Sequence, residues 1–435
     1  MAKPKLALIP AAQGDKFYSV LPSDGVGDFT FSRASTGTRI APTGLIEEVP
    51  SGDSRLDYDL LNGKVVNCPH YLLEPASTNL ITYSEDFSNS YWTKLGATIG
   101  ADAITSPNGS LDADKFTEDS SNGLHAIYQN AGVTIPTGNN TLSIFVKSNG
   151  RNFFQIRTGS AGGVDNSPLY ANFDLINNTE TASSTGVINS KVEIYPNNWK
   201  KISITFNLSS GTSVALVFQS ILSGTSVISE TYQGDGTSGF YLFGAQLEQS
   251  SYPTSYIPTN GTAITRAAES ANGSGDAATF NDSEGVLMLE ASALSNDGTY
   301  RSITLSDGTS ANRIYFWFWN DGRLLIGLSS NSVVQIDHFE SIDVTNFNKI
   351  AFKYKANDFS IWLNGIKIDE ASLGNTPSGL NNINFADSNG VSFPFYSKTR
   401  EVQYFDSVLT DAQLETLTSW TSLQEMITSQ LYTNY

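Results

Sequence analysis

Cysteine and histidine are nearly absent from this sequence. Cys68 is the single cysteine among 435 residues, and there are three histidines. One cysteine excludes an intramolecular disulfide framework and any multi-cysteine zinc site. Because Cys68 stands beside Pro69 and His70 in a turn-like stretch, we interpret it as a small buried residue rather than a nucleophile. No zinc-protease, serine-hydrolase or phosphate-loop motif accompanies the histidines.

Charge is sparse and mostly of one sign. Charged residues make up 16 % of the chain, and 43 acidic against 25 basic side chains give a formal net charge of −18. Such a chain repels a phosphate backbone, so nucleic acid is not an expected partner. No segment approaches the roughly 20 apolar residues of a membrane span. The start, Met1–Lys5, precedes an apolar run of only about five residues, which does not match a secretory signal.

Residues that favour long helices are also scarce, while glycine, serine, threonine and asparagine recur throughout. The 39 % of hydrophobic residues is enough for sandwiches whose outer faces stay polar. The length predicts two or three domains. We therefore predict an all-β fold with two antiparallel β-sandwich (jelly-roll) domains. An irregular N-terminal region precedes them, and a short C-terminal helix follows.

The opening region, residues 1–78, is rich in turns and has too little apolar material for an independent core. We expect it to pack on a neighbour, on another subunit or on a larger particle, and so to serve anchoring and assembly. Residues 79–260 predict the first sandwich. Within them Ile202, Ile204 and Phe206 alternate with polar residues and are predicted to share one buried face.

A Gly/Ser/Asn-rich stretch after Pro258 predicts a linker between the two sandwiches. Residues 261–425 predict the second sandwich, and residues 426–435 a C-terminal tail. Thr410 and Gln413 have the spacing of a capping box, which predicts that the closing helix begins there.

Three segments of the second sandwich resemble the concanavalin-like, laminin-G-type fold. They are Ile350–Tyr354, Phe359–Gly365 and Val402–Asp411, the last of which ends in a strand, a Leu-Thr-Asp step and a helix. The resemblance implies a β-sandwich. It does not select a ligand, because that family includes lectins, adhesion modules and glycosidases.

A second series of motifs resembles a family of bacteriophage virion proteins that are labelled tail-fibre or structural proteins. The motifs are Phe31–Thr36, Gly44–Glu47, Arg55–Tyr58, Leu72–Leu80, Trp92–Lys94 and Gly244–Glu248. The resemblance implies a virion component, synthesised in the cytoplasm of a bacterial host, with a carbohydrate-binding-module-like sandwich after the opening region. It also implies contacts with other virion proteins through that region, and a homo-oligomer, for which we expect a trimer. Tail and capsid locations both stay open.

Two segments superficially resemble hydrolase motifs. Gly52–Leu56 is similar to a GDSL nucleophile segment but lacks the preceding buried strand. Gln335–Glu340 is similar to a strand of concanavalin-like β-glucanases in which the outer glutamates act as nucleophile and general acid. Gln335 occupies the nucleophile position and cannot form a glycosyl intermediate. We therefore expect no enzymatic activity.

The strongest candidate ligand site lies in the aromatic run that starts at Arg313. Alternation places Tyr315, Trp317 and Trp319 on one face, and Trp362 has the phase to join them. Aromatic faces stack on sugar rings, and Arg313 can bond sugar hydroxyls. This face is either an open binding platform or a contact with another layer.

Oxygen-rich turns are candidate ligands for a structural Ca²⁺, although acidic turns also serve solubility. They are Asp112–Asp114, Glu118–Asp119 and Asn296–Gly298. The leading hypothesis is a phage fibre, adhesin or decoration protein that binds host or environmental surface glycans without catalysis. A purely structural virion protein and a polysaccharide-degrading spike enzyme are the alternatives.

Overall fold

Strands dominate the fold. A computed structural model describes residues 3–159, 169–209, 212–226, 228, 230–421 and 425. Strands hold 52 % of the chain and helices 3 %, and the strands pair antiparallel into sandwiches. The predicted all-β class is therefore confirmed. The predicted tail, residues 426–435, lies outside the described residues.

The opening region consists of short strands separated by turns. They are β1 (Leu6–Leu8), β2 (Lys16–Phe17), β3 (Ser19–Leu21), β4 (Phe29–Ser32), β5 (Gly37–Ile40), β6 (Ile46–Val49), β7 (Leu56–Leu61), β8 (Lys64–Leu72) and β9 (Ser77–Asn79). Cys68 lies in β8 and is exposed. The expectation that it is buried was wrong, because the stretch is an extended strand rather than a packed turn.

The first sandwich follows. Its strands are β10 (Trp92–Leu95), β11 (Ala97–Thr105), β12 (Leu111–Glu118), β13 (Asn122–Gly123), β14 (Ala126–Ile135), β15 (Gly138–Asn149), β16 (Phe153–Thr158), β17 (Tyr170–Asp174), β18 (Thr179–Ser183), β19 (Val187–Ile194), β20 (Lys200–Leu208), β21 (Thr212–Ile221), β22 (Tyr232–Gln233) and β23 (Gly239–Glu248). Of its two sheets, sheet III has the order β10-β14-β21-β16-β17-β18, and sheet IV has the order β11-β12-β23-β15-β20-β19. Ile202, Ile204 and Phe206 all lie in the core between them, as the alternation predicts.

The second sandwich completes the chain. Its elements are β24 (Ile264–Arg266), β25 (Ser270–Ser274), β26 (Glu284–Ala293), β27 (Arg301–Ser306), β28 (Arg313–Phe318), β29 (Leu324–Ser330), β30 (Val333–Glu340), β31 (Asn348–Lys355), β32 (Phe359–Leu363), β33 (Ile366–Ala371), β34 (Asn382–Asn384), β35 (Ser397–Phe405) and helix α1 (Asp411–Thr418). Sheet I has the order β3-β1-β35-β26-β31-β32-β33, and the β7-β8 pair joins it at β35. Sheet II has the order β2-β4-β25-β34-β27-β28-β29-β30.

The opening region supplies strands to both sheets of the second sandwich. Strand β1 pairs with β35, where Ala7 lies opposite Gln403. Strand β4 pairs with β25, where Phe31 lies opposite Ala271. Aromatic residues of the opening region, including Phe17, are buried in the core of this sandwich. The region therefore packs on a neighbouring part of the same chain, the first of the three partners expected for it.

The predicted linker is built into the sheets. Ile264 in β24 lies opposite Asn79 in β9, and β25 pairs with both β4 and β34. Arg266 is only 1 % exposed. The expectation of a free linker was wrong, because glycine and serine occur in short buried strands as well as in linkers, and composition alone does not separate the two.

A buried ion network joins the opening region to the start of the second sandwich. Arg33 contacts Glu269 at 2.7 Å, and Arg55 contacts both Glu269 and Glu74. Arg266 contacts Glu74 at 3.1 Å. All five side chains are at most 4 % exposed. Three of the five belong to the motif series that resembles phage proteins, so these motifs hold the junction together.

The β5-β6 hairpin covers the outer face of sheet IV. Its Ile46 packs in one buried cluster with Phe145, Trp199 and Phe243 of the first sandwich. Glycine is needed at position 63, in the turn between β7 and β8, because a Cβ there would lie 2.8 Å from the carbonyl oxygen of Tyr195. The opening region is thus in close contact with both sandwiches.

Helix α1 begins as predicted. The Thr410 hydroxyl accepts from the Gln413 N–H, and the Gln413 side chain accepts from the Thr410 N–H, which completes the capping box. Leu414 and Leu417 are buried against the outer face of sheet I. In the described ranges no helix has the length and hydropathy to cross a membrane.

Candidate functional site

Strand β28 presents two apolar faces. Ile314, Phe316 and Phe318 point into the core of the second sandwich. Tyr315 and Trp317 point away from it, onto the outer face of sheet II. The period-two alternation predicted this division, because successive side chains of a strand project to opposite sides.

Residues of β30 and of three loops join β28 to form an aromatic cluster. It is here called the ring patch and consists of Tyr300, Trp317, Trp319, Phe339 and Phe393. Trp317 is at its centre, with ring centroids 4.8 Å from Phe393 and 5.8 Å from Trp319. Phe339 stands edge-on to Trp319 at 5.3 Å. Phe339 and Phe393 are 37 % and 41 % exposed, and Tyr300 and Trp319 are half-buried.

The indole N–H of Trp317 has no hydrogen-bond partner in the described part of the chain, although Trp317 is only 8 % exposed. Leaving a buried donor unpaired costs about 1–3 kcal/mol. The hydroxyl of Ser302, which lies opposite Trp317 in β27, is paired with Thr304 instead. The ring patch therefore holds a donor that a bound acceptor would satisfy.

Phe393 has a backbone conformation that is rare for its residue type. Its φ is 53°, in the left-handed region that aromatic residues seldom adopt, and it precedes Pro394, which favours extended backbone. The Ser302 N–H donates to its carbonyl oxygen at 3.0 Å and fixes the loop. Such strain is typical of functional sites, and here it places a half-exposed ring against Trp317.

Tyr315 is closed off from solvent. It is 4 % exposed, and burial raises its pKa to about 12. Its ring lies over Gly327, where any Cβ would collide with the phenol hydroxyl. The Arg313 guanidinium covers it at 4.7 Å and forms an ion pair with Asp387 at 2.7 Å. Of the three rings predicted for the platform, Trp319 is half-buried while Tyr315 and Trp317 are covered.

Trp362 does not join this face. It belongs to β32 in sheet I, on the opposite side of the sandwich, and packs under Leu414 and Leu417 of α1. Its indole N–H donates to Ser360 at 3.1 Å. Alternation gave the phase of Trp362 correctly but carried no information about which sheet contains the strand.

Sequence reasoning missed three members of the ring patch. Phe339 had a usable signal, because it alternates in β30 and lies opposite Leu325 on the outer face. Tyr300 and Phe393 come from loops, where no periodic pattern identifies a shared face.

The glucanase-like strand separates its two carboxylates. In β30, Asp337 lies opposite Gly327 on the outer face, whereas Glu340 lies opposite Leu324, whose side chain is in the core. Glu340 contacts a nitrogen of His338 at 3.1 Å. Retaining hydrolysis needs two carboxyl groups about 5–5.5 Å apart, one on each side of one bond. These two acids point to opposite faces of the sheet.

The acidic turns proposed for Ca²⁺ are occupied by protein donors. Asp114 accepts from two backbone N–H groups, Glu118 pairs with Arg151, and Asp297 pairs with Arg301. Across the described ranges no group of three or more His, Cys, Asp or Glu side chains is placed to hold a metal ion.

No protein-family model and no curated protein sequence matches this chain. Distant structural similarity exists to a Ruminococcus gnavus IT-sialidase CBM40 (17 % identity, 34 % of this chain, 94 % of that chain, TM-score 0.29). A leech intramolecular trans-sialidase is also similar (16 % identity, 33 % of this chain, 24 % of that chain, TM-score 0.26). So is a SAP-like pentraxin from Limulus polyphemus (14 % identity, 32 % and 72 %, TM-score 0.25).

Proposed function

We propose that this chain is a glycan-binding protein without catalytic activity, and that the ring patch on sheet II is its binding surface. The observation that carries the proposal is the unpaired indole N–H of Trp317 inside a cluster of half-exposed aromatic rings. Aromatic faces bind the C–H faces of sugars, while a fixed donor selects the position of a hydroxyl or ring oxygen.

The arrangement of the rings supports this role. Trp319 is nearly perpendicular to Tyr300 and to Phe339, with interplanar angles of 84° and 87°. These contacts hold Trp319 in place without covering it. The Arg323 guanidinium lies 4.3 Å from the Phe339 centroid, at the margin of the patch, and supplies further donors for hydroxyls.

The absence of catalysis is part of the proposal. Gln335 stands where the glucanase-like pattern has its nucleophile, and its Oε1 accepts from the Asn375 N–H at 2.9 Å. Asp337 and Glu340 point to opposite faces of the strand, so they do not flank a common bond. Purified protein incubated with capsular or cell-wall polysaccharide should release no reducing ends.

We also propose that the protein is a virion component, a tail fibre, head fibre or other decoration. The support is the motif series from Phe31–Thr36 to Gly244–Glu248. Several copies on one particle, for example a trimer, would raise avidity from weak individual sites. Immunogold labelling of intact phage particles tests this location, and labelling confined to the infected host cell would contradict it.

The binding proposal is tested on an array of bacterial capsular and cell-wall polysaccharides. Trp319→Ala should weaken binding by up to about tenfold, since one aromatic stacking contact contributes about 0.5–1.5 kcal/mol. Trp317→Phe keeps most of the ring bulk, removes only the N–H, and should also weaken binding. Trp420→Ala is the control, because Trp420 is half-buried like Trp319 but lies beyond α1. Equal binding by all three variants would contradict the proposal.

A further inference from the structure

A cleft of about 410 Å³ lies at one end of the first sandwich. It forms where the end of β15, the β17-β18 turn and the β19-β20 connection meet the tip of the β7-β8 hairpin. Its lining residues are Asn62, Lys147, Ser148, Leu175, Ile176, Asn178, Ile194, Asn198 and Lys200. The lining thus combines two lysines, three asparagines and three aliphatic side chains.

Lys200 is a buried lysine in the lining of this cleft. It is 9 % exposed, and its ammonium group donates to the carbonyl oxygen of Asn198 at 3.1 Å. No carboxylate of the described residues lies within ion-pair distance of it, although the chain carries an excess of acids. A buried cation without a counter-charge is costly, so the site is set up for a negative group.

Lys147 adds a second positive charge to the same cleft. It also forms no ion pair with any described carboxylate, and it is half-buried. Burial lowers the pKa of Lys200, and the charge of Lys147 lowers it further. Two unpaired cations close together therefore repel each other until an anion binds between them.

The cleft also holds an acceptor without a donor. The Oδ1 of Asn178 is buried and has no hydrogen-bond partner among the described residues. Asn178 has a φ of 57°, in the left-handed region, where asparagine is tolerated better than most residues. Ile176, which is exposed, and Ile194 supply apolar surface in the same lining. A ligand that carries a hydroxyl or N–H group as well as a negative charge would satisfy both this acceptor and the two lysines.

We propose that this cleft binds an acidic sugar, with the carboxylate between Lys147 and Lys200 and a ring hydroxyl donating to Asn178. The inference rests on the proposed glycan binding and adds a second site, specific for acidic sugars, on the other sandwich. Its volume falls within the range of about 300–1,000 Å³ that is usual for small-ligand sites. A simple anion such as sulfate would satisfy the lysines but would leave the Asn178 acceptor unpaired.

The experiment uses ligand-observed NMR on the full chain with methyl β-D-glucuronide and, as the matched neutral sugar, methyl β-D-glucoside. The glucuronide should bind and the glucoside should bind at least tenfold more weakly. Lys147→Gln should weaken glucuronide binding by at least tenfold, and Lys200→Met should abolish it. Lys5→Gln removes an exposed charge at the start of β1 and should leave binding unchanged.

Equal binding of both sugars would overturn the proposal, and so would an equal loss in Lys5→Gln. Inorganic phosphate that binds as tightly as the glucuronide would reduce the site to an anion site and would overturn the sugar assignment. Trp319→Ala should retain glucuronide binding, since the ring patch is on the other sandwich. If the unmodified chain binds the glucuronide but none of the polysaccharides, the ring-patch proposal is wrong. If it binds a polysaccharide but not the glucuronide, the cleft proposal is wrong.

Discussion

The Nε of Arg55 donates to Oε1 of Glu269 at 2.8 Å, although 214 positions separate the two residues in the sequence. Both side chains are fully buried. A second guanidinium nitrogen of Arg55 binds Glu74 at 2.9 Å. Arg55 of the opening region thus binds one acid just before the first sandwich and another at the start of the second.

Glu269→Gln should destabilise the protein by about 3–5 kcal/mol, because it leaves the buried Arg33 without its counter-charge and removes one of the two counter-charges of Arg55. Glu370→Gln is the control, since Glu370 has a 69 % exposed side chain in an ion pair with Lys367, and such pairs contribute at most about 1 kcal/mol. Urea unfolding measures both. A Glu269→Gln variant as stable as the control would show that the network contributes little.

Acid should weaken the same network. Burial raises the pKa of Glu74, but Arg266 and Arg55 lower it more strongly, to about 2 against an ordinary 4.5. The resulting stabilisation, about 3 kcal/mol, is complete above pH 4.5 and is lost as the pH falls towards 2. Urea unfolding between pH 5 and pH 2 should show a shallower decline for Glu74→Gln than for the unmodified chain. Parallel curves would contradict the assignment.

Trp317→Ala should cost about 3–5 kcal/mol, because the ring is 8 % exposed and its removal leaves a cavity between Phe393 and β28. Thermal unfolding measures this loss, with Trp317→Phe expected to retain most of the stability. A change within about 0.5 kcal/mol would mean that the Trp317 ring behaves as a surface group and is not packed under Phe393.

A fragment that starts at residue 279 should fail to form a stable sandwich. It lacks β1 and β4, and with them the buried residues that the opening region adds to the core, including Phe17 and Phe31. In the intact chain, trypsin should not cut after Arg266, which is 1 % exposed, whereas the urea-unfolded chain should release that site. Cooperative unfolding of the isolated fragment would contradict the shared core.

The sequence predicted those features that depend on a short repeat. Alternation placed Tyr315 and Trp317 on the same face of one strand, and the Thr410–Gln413 spacing located the start of α1. In each case the signal comes from residues only a few positions apart, whose geometry is set by one strand or one helical turn.

Features that depend on distant pairing were not predictable from one sequence. Local patterns carry no information that β1 pairs with β35, or that the phase of Trp362 belongs to sheet I rather than sheet II. The composition after Pro258 indicated a linker. It carried no information that Arg266 is buried, because that burial depends on an ion pair with Glu74, far earlier in the chain. The site shows the same division: β28 supplied Trp317, while loops supplied Phe393 and Tyr300.

The pairing of Leu6–Leu8 with Ser397–Phe405 also constrains how the protein is made. A ribosome that adds about 5–20 residues per second needs roughly 20–80 s between these two strands. During that interval the apolar edge of the nascent opening region has no partner from the second sandwich, and such exposed surface promotes aggregation. Sheet I of the second sandwich can therefore be completed only after Phe405 has been synthesised, and chaperones that shield nascent chains should raise the yield of folded protein.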